Sequence, residues 1–188
     1  MRVQFATSNE HKVAEARGIL AVLGWEVERV AIDYPEVRSP SVEDVALDGA
    51  RYVADKLGGP VIVEDTGLFI RALKWFPGTY SKYVLNTVDV TGVLRLMEGV
   101  DDRYAEFRCA VGFCEPGGDP KAFAGAVPGT INHAPLGDGG FGYDPIFITE
   151  GESRTFAQMP VEEKNAVSHR RRALAAFVAW AREEMPGR

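Results

Sequence analysis

Two segments in the second half of the chain combine residue types that could bind a purine nucleotide. Residues 140–145 read GFGYDP, in which each of two aromatic residues follows a glycine, and residues 164–170 read KNAVSHR, which is rich in hydrogen-bond donors. An aromatic ring can stack on a base, and the donors can bind the edge of the base or its phosphates. In an extended segment, Phe141 and Tyr143 would share a face. The alternative is that the two rings close an edge of the core, but the density of glycines favours a nucleotide site.

A second group of candidate residues follows the first predicted strand. Residues 7–12 read TSNEHK, which places Ser8, Asn9 and Lys12 at the start of a predicted helix. The free N–H groups and the dipole of a helix N-terminus attract anions, and Lys12 adds a full positive charge. Simple helix capping is the alternative. The sequence has no Walker GxxxxGKS/T loop and no GxGxxG directly after a predicted strand, so the two most familiar phosphate-binding loops are absent.

Two carboxylates stand where a predicted buried strand, residues 61–63, ends at Glu64 and Asp65. Ligand sites of open α/β sheets collect beyond the carboxyl ends of strands. Neighbouring strand residues face opposite ways, so only one of the two carboxylates can easily point into a given site. Mg²⁺ usually takes one or two carboxylates plus phosphate oxygens, and Glu36 is a candidate second ligand. An Asx-type turn over residues 65–67 is the alternative.

Composition limits the classes of function. The 188-residue chain has a formal net charge of −6 and contains no apolar run long enough to cross a bilayer. The acidic balance argues against a general nucleic-acid-binding protein, and a solvated helix face is the alternative for the three arginines at 170–172. Residues 1–6 are too short and too soon polar for a signal peptide, so we expect a cytoplasmic protein that binds no membrane. Cys109 and Cys114 are expected to be buried small hydrophobic residues.

Strands alternate with helices early in the chain and a hairpin follows, which favours a mixed α/β sheet in one domain, or in one domain with two lobes. The predicted strands are residues 3–6, 25–32, 61–63, 104–114 and 122–127. The predicted helices begin after caps at 7–9 and at Ser41, and others cover 90–97 and 160–184. The helix after Ser41 is expected to run to about Leu57, where Gly58, Gly59 and Pro60 stop it. On the last of these helices, Lys164 and Ser168 would lie on one face.

The motifs together resemble one known family. They are, in chain order, SNxxK from Ser8, PE from Pro35, EDTGL from Glu64, PGxYS from Pro77, FGYDP from Phe141 and KNAxSHR from Lys164. This set closely resembles the inosine triphosphate pyrophosphatase family, in order and spacing, from residue 7 to about residue 174. The resemblance implies a single pyrophosphatase domain over residues 1–188, with an elongated mixed β-sheet, flanking helices and two lobes around a central cleft. It also implies a homodimer and a required Mg²⁺.

The resemblance also implies a role for each matching position. Glu36 and Asp65 would hold the metal, and Asp65 would activate water for attack on the α-phosphorus of ITP, dITP or XTP. Substrate would be bound through Thr7, Ser8, Asn9, Lys12, Thr66, Phe141, Gly142, Tyr143, Asp144, Lys164, His169 and Arg170. Within this set, residues 7–12 would cradle the triphosphate and Phe141 would stack on the base, beside a wall that Tyr143 and Asp144 complete. Lys164, His169 and Arg170 would bind the purine edge.

Two positions depart from the family pattern. Many bacterial and animal members carry a lysine where this chain has Gly49, so its contribution is absent here or is supplied by Arg51 or Lys82. Tyr143 stands where others have tryptophan. Three alternatives stay open: a nucleotide-binding sensor without catalysis, a related pyrophosphatase for modified pyrimidine nucleotides, and an RNA-binding module, which the acidic balance disfavours.

Overall fold

The computed structural model describes residues 1–187, which form a seven-stranded sheet and six flanking α-helices. The strands are β1 (Arg2–Ala6), β2 (Glu26–Val30), β3 (Val61–Ile70), β4 (Pro77–Gly78), β5 (Tyr104–Cys114), β6 (Lys121–Ile131) and β7 (Phe147–Thr149). The helices are α1 (Glu10–Leu20), α2 (Val42–Leu57), α3 (Ser81–Thr87), α4 (Asp89–Leu96), α5 (Val161–Val167) and α6 (His169–Glu184). Within residues 1–187, no helix has both the length and the apolar character needed to cross a membrane.

The sheet is mixed, as predicted. Its strand order is β2-β1-β3-β5-β6-β7, and β4 pairs with β3. β1 runs parallel to both β2 and β3, whereas β4 is antiparallel to β3 and β7 is antiparallel to β6. In the parallel part, Ala6 at the end of β1 lies opposite Val30 and Val63. β2 ends at this level, whereas β3 continues beyond the carboxyl end of β1, where ligands of such sheets bind.

Local sequence signals explain the two helices of the N-terminal part. The Asn9 side chain caps α1, and the Ser41 side chain caps α2 by accepting the Asp44 N–H at 3.1 Å. Gly58 ends α2 in the left-handed conformation, with φ of 68°, which glycine adopts without strain. The predicted bounds of α2 are thus confirmed.

The chain divides into two compact units, each with its own apolar core. The first unit comprises Met1–Asp65, Cys109–Gly125 and the chain from Arg170 onward, and the second comprises Thr66–Arg108 and Ala126–His169. The first core surrounds Phe5, Ile62 and Phe177, and the second surrounds Phe107 and Phe147. Both cysteines are buried and unoxidised in the first core or at its edge, as predicted.

Two boundary predictions were wrong. β3 does not end at Glu64 but continues to Ile70, and Gly67 marks a close approach of strands rather than a turn, because any side chain there would overlap the Gly78 carbonyl of β4. The last helix is not continuous. It breaks at Ser168, whose backbone is extended with ψ of 151°, so Lys164 and Ser168 do not share one helix face.

Candidate active site

The loop between β1 and α1 is organised by its own side chains. The Asn9 Oδ1 atom accepts the N–H groups of His11 at 3.0 Å and Lys12 at 3.4 Å, and Thr7 Oγ1 accepts the Asn9 N–H at 3.1 Å. Ser8 is exposed. Capping is therefore confirmed as one role of Asn9, and it fixes the direction in which the Lys12 side chain leaves the helix.

Lys12 belongs to a buried group of four charges that joins α1, β3 and α6. Its Nζ lies 3.0 Å from Glu64 Oε1, while Arg170 Nε lies 2.7 Å from Glu64 Oε2 and Arg170 Nη1 lies 2.9 Å from Glu15 Oε2. Burial alone would lower the pKa of Arg170, but the Glu64 carboxylate outweighs it, so the pKa of Arg170 is raised. The two positive charges are balanced by two negative ones. Buried charges need such partners, because an unpaired charge is costly to remove from water.

Glu64 and Asp65 lie on opposite faces of β3, as strand alternation requires. Ile62 packs into the core that holds α1 and α6, whereas Val61 and Val63 pack against α2. Glu64 therefore shares the face of Lys12 and Arg170, and the half-buried Asp65 shares the face of α2.

The α2 face of β3 also receives the loop that carries Glu36. The nearby Tyr34 phenol has its pKa raised, first by burial and then by the carboxylates of Glu36, Asp65 and Glu64, so these groups lie in one neighbourhood. Among residues 1–187, no group of three or more His, Cys, Asp or Glu side chains is arranged as a metal cage. The carboxylates of Glu36 and Asp65 nevertheless fit Mg²⁺, because this ion usually takes one or two carboxylates and completes its shell with water and substrate phosphates.

In the second unit, Asp144 holds the candidate stacking residue in place. Its Oδ2 accepts the Phe141 N–H at 2.7 Å and also binds the Lys164 ammonium, and the Lys164 Nζ lies 4.6 Å from the centre of the Phe141 ring. Asp144 and Lys164 are buried, but Phe141 keeps 44% of its surface exposed. An exposed aromatic ring on a fixed backbone is a suitable platform for a base.

Phe141 and Tyr143 do not share a face, which corrects the expectation from an extended segment. Gly140 and Gly142 have φ of 69° and 67°, so the chain turns between the two rings. Tyr143 is buried, its hydroxyl donates to the Ser81 carbonyl at 2.8 Å, and burial raises its pKa to about 12. It thus ties this segment to the PGxYS motif.

The remaining candidates of the second unit lie on β3 and at the start of α6. Thr66 is half-buried on β3. The His169 ring is buried and stacks on Phe107, with ring centres 4.8 Å apart and planes inclined by 14°, and Phe107 in turn stacks on Phe156. The histidine therefore packs at one end of an aromatic column.

Comparison with known proteins decides the family. A sequence model of the Ham1 family matches residues 3–180 of the chain. The chain belongs to the Ham1 family. A "dITP/XTP pyrophosphatase" of Methanopyrus kandleri is 55% identical over 188 residues, covering 100% of both chains, and one of Methanothermobacter marburgensis is 51% identical over 183 residues, covering 97% of each. The solved Ham1 protein of Coxiella burnetii is 32% identical, with a TM-score of 0.89, and covers 97% of this chain and 99% of its own. The resemblance drawn from the motifs is thus confirmed.

Gly49 of this Ham1 protein is a packing position. It lies on the buried face of α2, and a Cβ there would stand 2.8 Å from Tyr34 Cε2 and 3.2 Å from Val63 Cγ1. A lysine at 49 would therefore require the Tyr34 ring to move. Arg51 and Lys82, the two substitutes suggested by the sequence, are exposed.

Some functional partners were missed from the sequence of this Ham1 protein. Glu15 pairs with Arg170 and Phe107 stacks on His169, yet neither stands within a recognisable motif. The sequence indicates Glu64 only as the neighbour of Asp65. Of the three consecutive arginines, Arg170 is buried and ion-paired, whereas the other two are exposed, so the solvated-face interpretation holds for those two alone.

Proposed function

We propose that the protein hydrolyses the non-canonical purine nucleotides dITP, ITP and XTP to the nucleoside monophosphate and pyrophosphate. The single observation that carries this proposal is the agreement over full length with relatives named dITP/XTP pyrophosphatase. The chemical character of the candidate residues supports it, because carboxylates and cations suit a polyphosphate and an exposed ring suits a base.

The first unit supplies the groups that the phosphates need. Lys12 offers an ammonium group and the exposed Ser8 offers its hydroxyl group to the triphosphate. Glu36 and Asp65 would hold Mg²⁺, which when bound neutralises the charge on the phosphates. The Asp65 carboxylate orients a water molecule and accepts its proton as the water attacks the α-phosphorus. The bond from the α-phosphorus to the bridging oxygen then breaks, and pyrophosphate leaves with that oxygen.

The second unit supplies the groups that recognise the base. The exposed face of Phe141 stacks on the purine, and the donors of Lys164 and His169 bind its 6-keto oxygen. Adenine carries an amino group at that position, so the buried donors would lose their acceptor. Sites built on hydrogen bonds discriminate strongly against such analogues.

We further infer a homodimer in the cytoplasm. Trp75, Phe76, Tyr80 and Tyr83 are large apolar side chains that are exposed within one short stretch of the second unit, and such surface favours association. Light scattering coupled to size-exclusion chromatography measures the mass directly. A dimer is expected, and a mass of one chain at all concentrations would contradict it.

A substrate panel with a pyrophosphate readout tests the proposed reaction. The wild-type protein is given dITP, ITP, XTP and the common purine and pyrimidine triphosphates, each with and without Mg²⁺. We expect pyrophosphate release from the first three, in the presence of the metal, with far lower kcat/KM for the others. Equal rates on all triphosphates would contradict the specificity, and tight dITP binding without product would favour a nucleotide sensor instead.

A further inference from the structure

The loop between β2 and α2, residues 31–41, carries Glu36 but has no helix or strand of its own. Exposure alternates along residues 31–35, with Ile32 and Tyr34 partly buried and their neighbours exposed. Both inward side chains pack against the apolar cluster between α2 and β3. Glu36 itself is exposed. The position of this carboxylate therefore depends on how firmly the preceding inward residues are held.

The Tyr34 ring packs against α2 in a space, here called its seat, that exists because residue 49 is glycine. Gly49 lies in the middle of α2, where glycine weakens a helix relative to alanine. Its φ is not positive, so backbone conformation does not require it. A Cβ at position 49 would stand 2.8 Å from Tyr34 Cε2, closer than real carbon atoms pack, and 3.2 Å from Val63 Cγ1. The missing side chain is what admits the ring.

This seat adjoins both proposed metal ligands. Val63, which borders the seat, points to the same face of β3 as Asp65, two residues later. On the other side, Glu36 follows Tyr34 by two residues, with Pro35 between them. Proline keeps the residue before it extended, so the chain runs directly from the Tyr34 ring to Glu36. The Tyr34 ring thus links the strand of Asp65 to the loop of Glu36.

We propose that Tyr34 is a positioning residue whose ring, seated against Gly49, holds the Glu36 loop in the arrangement that binds Mg²⁺ together with Asp65. This inference rests on the proposed function, since it assigns the metal to these two carboxylates. The ring acts by packing and not by its hydroxyl group. Residues that orient metal ligands usually contribute about 10- to 100-fold to metal affinity or activity.

The test uses four variants of the full chain. Tyr34→Ala removes the ring, Gly49→Ala fills its seat, and Tyr34→Phe keeps the ring without the hydroxyl. Gly18→Ala is the matched control, because Gly18 is also inside a helix but a Cβ there would meet nothing within 4 Å. Each variant is assayed for pyrophosphate release from dITP across Mg²⁺ concentrations. Hydrogen exchange of residues 31–41 is measured without metal or nucleotide.

We expect Tyr34→Ala and Gly49→Ala to raise the Mg²⁺ concentration for half-maximal rate by about 10- to 100-fold. Saturating Mg²⁺ should restore most of kcat, the KM for dITP should change little, and exchange in residues 31–41 should be faster. Tyr34→Phe and Gly18→Ala should match the wild type in metal requirement and exchange.

Three results would overturn the proposal: a wild-type Mg²⁺ requirement in both Tyr34→Ala and Gly49→Ala, unchanged exchange in both, or a Tyr34→Phe variant as impaired as Tyr34→Ala. Should Tyr34→Ala fail to fold, Gly49→Ala alone decides, since it adds one methyl group and keeps the tyrosine. A wild-type protein that released no pyrophosphate would instead refute the proposed function. The exchange experiment would still report whether the ring holds the loop.

Discussion

The charged candidate residues of the first unit and the aromatic ones of the second are held by different forces. In the first unit, Lys12, Glu64 and Arg170 fix one another through ion pairs of 2.7 to 3.0 Å in a buried position. In the second, Phe141 stands on a turn held by one carboxylate, and His169 rests on an aromatic ring. The first arrangement suits a substrate part that carries charge, and the second suits a flat heterocycle.

The difference has an energetic consequence. A buried charge that loses its partner costs far more than a ring that loses a stacking surface, because desolvation of the remaining charge is no longer offset. Substitutions within the ion-pair group of the first unit should therefore affect turnover and folding together. Substitution of the exposed Phe141 ring in the second unit should affect mainly affinity and the choice of base.

The largest effect is expected for Asp65→Asn. The amide cannot accept a proton from water, so kcat should fall by about 10²- to 10⁴-fold, the usual contribution of a general base. The KM and the unfolding transition should change little, because Asp65 lies outside the ion-pair group. Asp48→Asn, which alters an exposed carboxylate on α2, serves as the control and should keep full activity. A kcat within threefold of wild type, about 0.65 kcal/mol in barrier height, would contradict the role of Asp65.

Glu64→Gln should give the largest loss of stability. The substitution leaves Lys12 and Arg170 without the carboxylate they share, and breaking a buried ion pair by removing one partner costs about 3–5 kcal/mol. The kcat should fall as well, since Lys12 loses its anchor. Urea unfolding measures the stability.

A matched control for Glu64→Gln is Glu28→Gln, which breaks the exposed pair with Arg2. An exposed pair contributes about 0–1 kcal/mol. If the two variants were equally stable, the buried ion pairs would not be what holds the first unit's candidate residues.

Sequence reasoning predicted features that depend on a few neighbouring residues. The Asn9 cap, the Ser41 cap and the Gly58 stop are short-range patterns with a local physical cause, and all three were confirmed. The length of β3 and the break at Ser168 were not predicted. The first depends on pairing with β4, and the second on an extended serine within an otherwise helical pattern.

Motifs identified the candidate residues, but they did not predict the contacts that hold these residues in place. Glu64 and Arg170 are 106 residues apart in sequence, and no local sequence pattern indicates their ion pair. The same is true of the Tyr34 ring on Gly49, which a sequence shows only as a departure from the family's lysine. Contacts between distant segments become visible only when the sheet fixes which residues face which helix.

For the second unit, Phe141→Ala should raise the KM for dITP without a comparable loss of kcat. Stacking of a base on an aromatic ring is worth about 1–3 kcal/mol, which corresponds to a KM increase of about 5- to 160-fold. Tyr52→Ala on α2 is the control, because that ring is 41% exposed and Phe141 is 44% exposed. Steady-state kinetics over a wide dITP range separates the two constants. A fall in kcat with unchanged KM would mean that Phe141 contributes to turnover and not to dITP binding, which would contradict the prediction.

The smallest effect is expected for Arg171→Ala. This variant separates the effect of burial on stability from the effect of charge. Arg171 carries the same charge as the adjacent Arg170, but it is exposed, whereas Arg170 is buried against two carboxylates. Removing Arg171 should change the free energy of unfolding by no more than about 0.5 kcal/mol, as is usual for surface positions. Urea unfolding and dITP kinetics would both be recorded. A loss as large as that of Glu64→Gln would mean that an exposed charge near the start of α6 matters as much for stability as a buried one, and the contrast drawn between the two units would fail.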